Sequence, residues 1–170
     1  MIRVITFDII YSMIQPIELL KSEIVNKPYL IWNAFIQVIT ESRYADLNDT
    51  QNVALFAFWY DSEVQNGGHL QYFKNKGKLF RNRETLLFAT TLESLKILGA
   101  KEQANILSLA SEKYLSQVRN HPNNVEEYCT LALEDEFGEY DRRYYKCTPD
   151  MNSLLELYLQ KHLNEFVKLI

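Results

Sequence analysis

Apolar residues recur three and four positions apart along most of the chain, which is the spacing of side chains on one face of an α-helix. The stripe is widest over residues 50–65, where Leu55, Phe58 and Trp59 extend it to nearly every face. We therefore expect a central helix there that is buried on several sides. Asp49 is its expected N-cap, because a short polar side chain can bond to the first free backbone amides.

The same spacing, together with proline and glycine punctuation, predicts further helices. They are expected at about 16–26, 28–42, 68–75, 82–98, 101–120, 122–141 and 148–170. Gly138 is a candidate division within the 122–141 helix. Thr148 and Pro149 are typical of a helix start, and the apolar stripe that follows them continues to Ile170.

Residues 1–14 are dominated by β-branched side chains, which favour a short strand or an irregular arm. The remaining chain carries helical patterns, few glycines and few prolines, and no internal repeat. Together these features predict an all-α fold. We expect a single compact multi-helix domain over residues 1–170, with roughly seven to nine helices and a short irregular or extended N-terminal arm.

Two adjacent glycines, Gly67 and Gly68, interrupt the pattern directly after the central helix. Glycine adopts backbone angles that other residues avoid, so a pair lets the chain leave one helix and enter the next. The stretch is either a polar junction between two helices or a binding site. Polar side chains crowd around it: Asp61, Glu63, Gln65, Asn66, His69, Gln71 and Asn75.

Acid–base chemistry at this break would pair Glu63 or Asp61 with His69. The structural interpretation, which we favour, is that Glu63 and Asn66 bond to backbone amides exposed by the break, since an unpaired buried donor costs ~1–3 kcal/mol. The Walker and dinucleotide-binding spacings are absent, which argues against a phosphate cradle. The three histidines lie apart from one another and from the cysteines, so we expect neither a metal nor another cofactor.

The composition narrows the class of protein. A formal charge of −4 and a pI near 5.4 disfavour direct nucleic-acid binding, which needs a basic surface. Cys129 and Cys147 form no CxxC pair, so we expect two reduced thiols in a cytoplasmic protein, with a bridge between them left open. Neither a signal peptide nor a membrane-spanning segment is expected.

Charge is unevenly distributed along the chain. Residues 74–83 hold five Lys or Arg residues and no acid, which is typical of a solvated loop. Residues 125–141 hold seven acids and no Lys or Arg. These acids form either an ordinary solvent-exposed helix face or a surface that mimics the spaced phosphates of DNA and so binds a basic partner. The seven acids are Glu126, Glu127, Glu134, Asp135, Glu136, Glu139 and Asp141.

The glycine pair also belongs to a longer motif that resembles the Asn-Gly-Gly-x-x-Gln-Tyr-Phe signature of a bacterial DNA-mimic-like family. The resemblance covers about residues 46–170 and leaves the N-terminal helices of 1–45 outside. It implies an all-α fold and no enzymatic activity. His69 departs from the pattern, because members carry a bulky aromatic residue there. The matching residues are Glu63, Asn66, Gly67, Gly68, Gln71, Tyr72, Phe73 and Asn75.

The best-known member of that family is a dimer whose acidic surface resembles duplex DNA and binds a DNA-binding transcription factor. The leading hypothesis is therefore a non-enzymatic, cytoplasmic bacterial protein, implied to be a homodimer, that binds a partner protein such as a DNA-binding regulator through its acidic face. Two alternatives stay open. One is an immunity- or antitoxin-type inhibitor of a toxin domain, and the other is a small-ligand-binding protein or enzyme centred on the Asn-Gly-Gly turn.

Overall fold

The computed structural model describes residues 14–79, 84–116 and 124–170. These residues form eight α-helices and two three-residue strands, which confirms the all-α prediction. The helices are α1 Lys21–Ile24, α2 Tyr29–Glu41, α3 Asp49–Leu79, α4 Glu84–Leu98, α5 Lys101–Leu115, α6 Val125–Leu133, α7 Gly138–Tyr144 and α8 Met151–Lys161. The strands are β1 Ile17–Leu19 and β2 Val167–Leu169.

Helix α3 is central, as the width of its apolar stripe predicts. Its most extensive packing is against α4, and it also contacts α2, α7 and α8. Tyr60, Val64, Tyr72 and Phe73 on this helix are fully buried. The helix therefore supplies the middle of the core. The surrounding helices are positioned by packing against its buried side chains.

The N-cap of α3 is Asn48, so the prediction of Asp49 was wrong by one residue. The Asn48 side chain accepts a hydrogen bond from the Gln51 backbone amide at 2.9 Å, and Gln51 Oε1 accepts from the Asn48 amide at 3.0 Å. This is a reciprocal capping box. Gln51 is buried and also donates to the Glu165 carbonyl at 2.7 Å, which ties the start of α3 to the end of the chain.

Two short strands near the beginning and the end of the described residues pair with each other, which the helices predicted at 16–26 and 148–170 do not allow for. Strands β1 and β2 run parallel, with Ile17 opposite Val167. Val167 is buried, whereas Lys168 points outward and bonds to Glu18 at 2.8 Å. In β2, apolar and polar residues alternate over only three positions. In the sequence, its apolar residues therefore look like a continuation of the apolar stripe of α8.

Several predicted helix boundaries also differ from the structure. Helix α8 begins after Asp150, whose side chain accepts from the Ser153 amide at 2.8 Å, and Thr148 and Pro149 precede that cap. The short helix expected to close near Lys76 is the second half of α3 and continues to Leu79. The prediction for 1–14 falls almost wholly outside the described residues, as do the starts predicted at 82 and 122 and the end at 120.

Helix α7 starts at Gly138, as the predicted division of the 122–141 segment requires. Cys129 and Cys147 are free thiols, which answers the question of a bridge between them. Among the helices in the described ranges, none combines the length and the apolar character needed to cross a membrane.

Candidate functional site at the glycine kink

Helix α3 bends at the glycine pair, which confirms the predicted break. Gly67 and Gly68 both leave helical geometry, and Gly68 has φ 72° and ψ −175°. This conformation is almost confined to glycine. A Cβ on Gly68 would also collide with the carboxylate of Asp141 on α7. Gly68 is therefore required both by its backbone and by the close approach of a side chain from another helix.

Asp141 occupies the N-terminus of the second half of α3. Its Oδ1 accepts a hydrogen bond from the backbone amide of His69 at 2.8 Å and lies 2.5 Å from Nδ1 of the same residue. A helix that restarts after a break leaves backbone amides without partners, and an acceptor with negative charge suits that position best. Asp141 is thus a capping residue supplied from 72 positions away in the sequence.

His69 links this carboxylate to the first half of α3. Its ring is fully buried, and Nε2 lies 2.8 Å from the hydroxyl of Tyr60. In the neutral imidazole, Nδ1–H donates to Asp141 and Nε2 accepts from Tyr60. Burial raises the pKa of Tyr60 well above its ordinary value, so its hydroxyl stays protonated and able to donate. The chain Tyr60–His69–Asp141 spans the kink with each group paired.

Two further hydrogen bonds fasten α7 and the residue after it to α3. The Tyr144 hydroxyl donates to Asp61 Oδ1 at 2.7 Å, and the Tyr145 hydroxyl donates to the Val64 carbonyl at 2.8 Å. Burial raises the pKa of Asp61, and the hydrogen bonds from Tyr144 and Gln65 partly offset that rise. Together with Asp141, these contacts hold α7 against both sides of the kink.

Glu63 bridges the kink on the other face of α3. Its carboxylate accepts from the side-chain amides of Gln71 and Asn75, each at 2.9 Å, and pairs with Lys76 at 3.3 Å. Lys76 also lies over the ring of Trp59, 4.7 Å from its centroid. The structure therefore brings together Glu63, Gln71 and Asn75 of the predicted motif.

The expected role of Glu63 and Asn66 needs correction. Glu63 bonds to side chains rather than to backbone amides, and the amide at the break is capped by Asp141 instead. Asn66 is exposed and takes no part in the network. Sequence reasoning missed Asp141 as a capping residue because no spacing rule connects positions so far apart.

The remaining motif residues are part of the core. The hydroxyl of Tyr72 lies 2.9 Å from that of Thr91 on α4, and both residues are buried. The ring of Phe73 stacks on Tyr114 with centroids 4.5 Å apart and touches Phe88 and Phe137. These aromatic contacts hold α4, α5 and the start of α7 around the second half of α3.

The hydrogen bonds of the network leave no free ring nitrogen on His69 for acid–base chemistry. A general base must reach the proton it removes, and both nitrogens of the buried His69 are already engaged within the protein. Rings of Phe73, Tyr140 and Tyr144 surround the imidazole. In the parts of the chain that are described, His, Cys, Asp and Glu side chains form no group suited to a metal ion.

The structure divides the seven predicted acids of 125–141 into exposed and inward-facing residues. Asp141 turns inward, and Glu136 is half-buried. Asp135 forms an exposed ion pair with Arg142 at 3.3 Å. We define the acidic surface by its exposed members: Glu126, Glu127, Glu134, Asp135 and Glu139.

The predicted basic loop at 74–83 also differs from the structure at its start. Residues 74–79 belong to α3, where Lys74 is buried and Lys76 pairs with Glu63. At least two of the five basic side chains, those of Lys74 and Lys76, are therefore not part of a solvated loop. The side chains of Lys78, Arg81 and Arg83 lie outside the description.

Most of this helical region matches the model of a known protein family. The model of the DMP19-like protein family matches residues 45–162, more than half of the chain. The chain belongs to this family. The match runs from just before α3 to the end of α8, so the kink and the acidic surface both lie inside the DMP19-like region. The family is named for a DNA mimic protein, which links DNA mimicry to it at the family level. No curated protein and no solved structure matches the chain.

Proposed function

We propose that this DMP19-like protein is a non-enzymatic regulator that binds a DNA-binding protein through its acidic surface, in competition with DNA. The observation that carries the proposal is the concentration of charge. Residues 125–141 hold seven of the 22 acids and none of the 18 Lys and Arg residues, which leaves 15 acids against 18 bases elsewhere. The net negative charge of the protein therefore resides in this one segment.

The spacing of the carboxylates supports mimicry of DNA. Glu126 and Glu127 lie in the first turn of α6, and Glu134 follows its last residue. Eight residues of helical rise separate the two groups by about 12 Å, which is roughly the width of the major groove that phosphates border. A DNA-binding protein carries cations at such separations, and opposite charges across an interface favour rapid and selective association.

The kink supports the proposal by fixing one member of the acidic surface, Glu139, in place. Glu139 belongs to α7, and α7 is held to α3 by Asp141 and Tyr144, with Tyr145 directly after it adding a third bond. A surface that is ordered before binding loses less conformational entropy when the partner docks. The Asn-Gly-Gly motif thus acts in a supporting structural role, while binding occurs on the surface.

A pair of charge-matched variants tests the proposal. In the first, Glu126, Glu127, Glu134 and Glu139 are changed to Gln. In the second, Glu41, Glu93, Glu112 and Glu156 are changed to Gln; these residues are also exposed but lie outside the segment. Both variants raise the formal charge from −4 by the same amount.

Each protein is used as bait in lysate of the source bacterium at two salt concentrations. The proposal predicts that wild type and the second variant retain a basic DNA-binding protein at low salt and lose it at high salt, because exposed charge pairs are screened. The first variant should retain little of it. Equal retention by both variants would show that the acidic surface is not the contact.

A further inference from the structure

A polar cavity of about 300 Å³ opens beside the kink, at the meeting point of α3, α5, the end of α7 and the start of α8. Its volume is at the lower end of the range for small-ligand sites. The cavity is separate from the acidic surface and plays no part in the proposed function. Its lining includes Gln65, Gln103, Tyr144, Tyr145, Cys147 and Asp150.

The polar groups around the cavity are mostly hydrogen-bond acceptors. Gln103 is 3% exposed, and its Nε2 donates to the Pro149 carbonyl at 2.8 Å. Its Oε1 accepts no hydrogen bond from the described part of the chain. The Tyr145 hydroxyl already donates to the Val64 carbonyl, so toward a ligand it can only accept.

The cavity lining carries negative charge, while Glu102 and Arg143 near Cys147 pair with each other. Asp150 contributes a carboxylate to the lining, and Asp61 lies directly behind, bonded to the lining residues Tyr144 and Gln65 at 2.7 Å and 3.4 Å. Burial raises the pKa of Asp61, and the Asp150 carboxylate adds to the rise. Among the described lining residues there is no Lys or Arg.

Two aromatic rings complete the site. Tyr144 and Tyr145 meet at 82° with centroids 6.1 Å apart, which forms a corner of the kind that attracts cations. Burial raises the pKa of the Cys147 thiol, and Cys147 Sγ donates to the Arg143 carbonyl. A protonated, engaged thiol is neither an anion nor a ready nucleophile, so the cavity is arranged for binding without covalent chemistry.

We propose that this cavity binds a small organic cation, a protonated amine or a guanidinium, held between the acceptor groups of Gln103 and Asp150 and the rings of Tyr144 and Tyr145. Such a ligand supplies the positive charge that the lining lacks, together with donors for its unused acceptors. The same chemical group occurs in free metabolites and in the Lys and Arg side chains of proteins.

Titration of the full-length protein, followed by ¹H–¹⁵N NMR at constant ionic strength, tests this inference. The probes are n-butylammonium and methylguanidinium chloride, with n-butanol and urea as neutral matches. We expect saturable shifts of the Gln65 and Gln103 side-chain amides with the two cations only. An absence of saturable shifts, or equal shifts with the neutral compounds, would overturn the proposal.

Two variants locate the binding. Asp150→Asn removes a lining charge but keeps a good N-cap for α8, so the fold should be maintained. It should weaken cation binding by up to about fivefold, the effect of one charged partner in an exposed pair. Glu156→Gln removes an equal charge from the exposed face of the same helix and should leave binding unchanged. Equal weakening by both variants would show unspecific charge attraction and contradict the site.

A third set of probes distinguishes the two sources of the cation. End-blocked glycine peptides with a single central Lys or Arg are titrated in the same way. If the peptides shift the Gln103 side-chain amide as much as the free cations do, a Lys or Arg side chain of another protein fits the cavity. Shifts with the free cations alone would identify a small molecule.

Discussion

Gly68 and Asp141 show how much of the site depends on single residues. Gly68 combines a backbone conformation almost limited to glycine with contact from the Asp141 carboxylate, and that contact is needed to cap the helix that restarts at His69. The glycine pair and its polar surroundings were visible in the sequence. The identity of the capping group was not, because it depends on how two distant helices pack.

Gly68→Ala should lower the free energy of unfolding by about 2–4 kcal/mol, since it adds backbone strain and displaces the Asp141 cap. Gly99→Ala is the control. Gly99 also has positive φ, at 86°, but no atom lies within 4 Å of the position of an added Cβ. Gly99→Ala should lower the free energy of unfolding by about 1 kcal/mol. Urea denaturation measures both, and a Gly99→Ala loss as large as that of Gly68→Ala would contradict the account.

Asp61 gives a prediction about pH. Its pKa is raised in the folded state, chiefly by burial, so folding favours its protonated form. Asp61 therefore stabilises the fold fully when the pH is below its pKa in the unfolded chain, about 3.8. This stabilisation is lost as the pH rises through the higher pKa that Asp61 has in the folded protein. The stability of wild type relative to Asp61→Asn should therefore fall as pH rises above that value.

Asp150→Asn provides a comparison of opposite sign. Bonds from Ser153 lower the pKa of Asp150, so its contribution is present above pH 3.8 and lost as pH falls. Denaturation of the three proteins across pH 3 to 7 measures both effects. Curves for wild type and Asp61→Asn that stay parallel would contradict the assigned burial of the Asp61 charge.

At the scale of elements, helix periodicity predicted the long, strongly patterned segments and failed at the chain ends. Helices α2, α4 and α5 and the break in α3 follow from apolar spacing and glycine positions. The apolar pattern places the residues of β2 in the last turn of α8, because three alternating residues are too few to show the period of a strand. Its pairing with β1 joins segments about 150 residues apart, which no local pattern shows.

The attachment of α7 to α3 can be tested with two substitutions of equal charge. Asp141→Asn should cost about 1–3 kcal/mol of stability, because it removes the charged acceptor shared by the His69 amide and ring. Asp135→Asn should change stability by less than about 0.5 kcal/mol, since its only described ion pair is exposed. Thermal or urea unfolding measures both. Similar effects would show that Asp141 is an ordinary surface acid.

At the scale of the whole molecule, the polar groups named above divide into an inward-facing set and an exposed set. The inward set, which includes Tyr60, His69 and Asp141, is paired within the protein and fixes α7 on α3. The exposed set forms the acidic surface on the neighbouring segment. The acidic run was apparent in the sequence, but which of its members face solvent depends on the packing of α7 and became clear only from the structure.

A partner that recognises the acidic surface should bind either this protein or DNA, but never both. The most direct measurement is fluorescence anisotropy of a labelled operator duplex bound to the captured DNA-binding protein, titrated with wild type or with the charge-matched variants. We predict that wild type and the variant altered outside the segment release the duplex completely. The variant lacking Glu126, Glu127, Glu134 and Glu139 should need at least about tenfold more protein, as expected for several lost charge pairs. A further rise in anisotropy, which would report a ternary complex of both proteins on the duplex, would contradict the account.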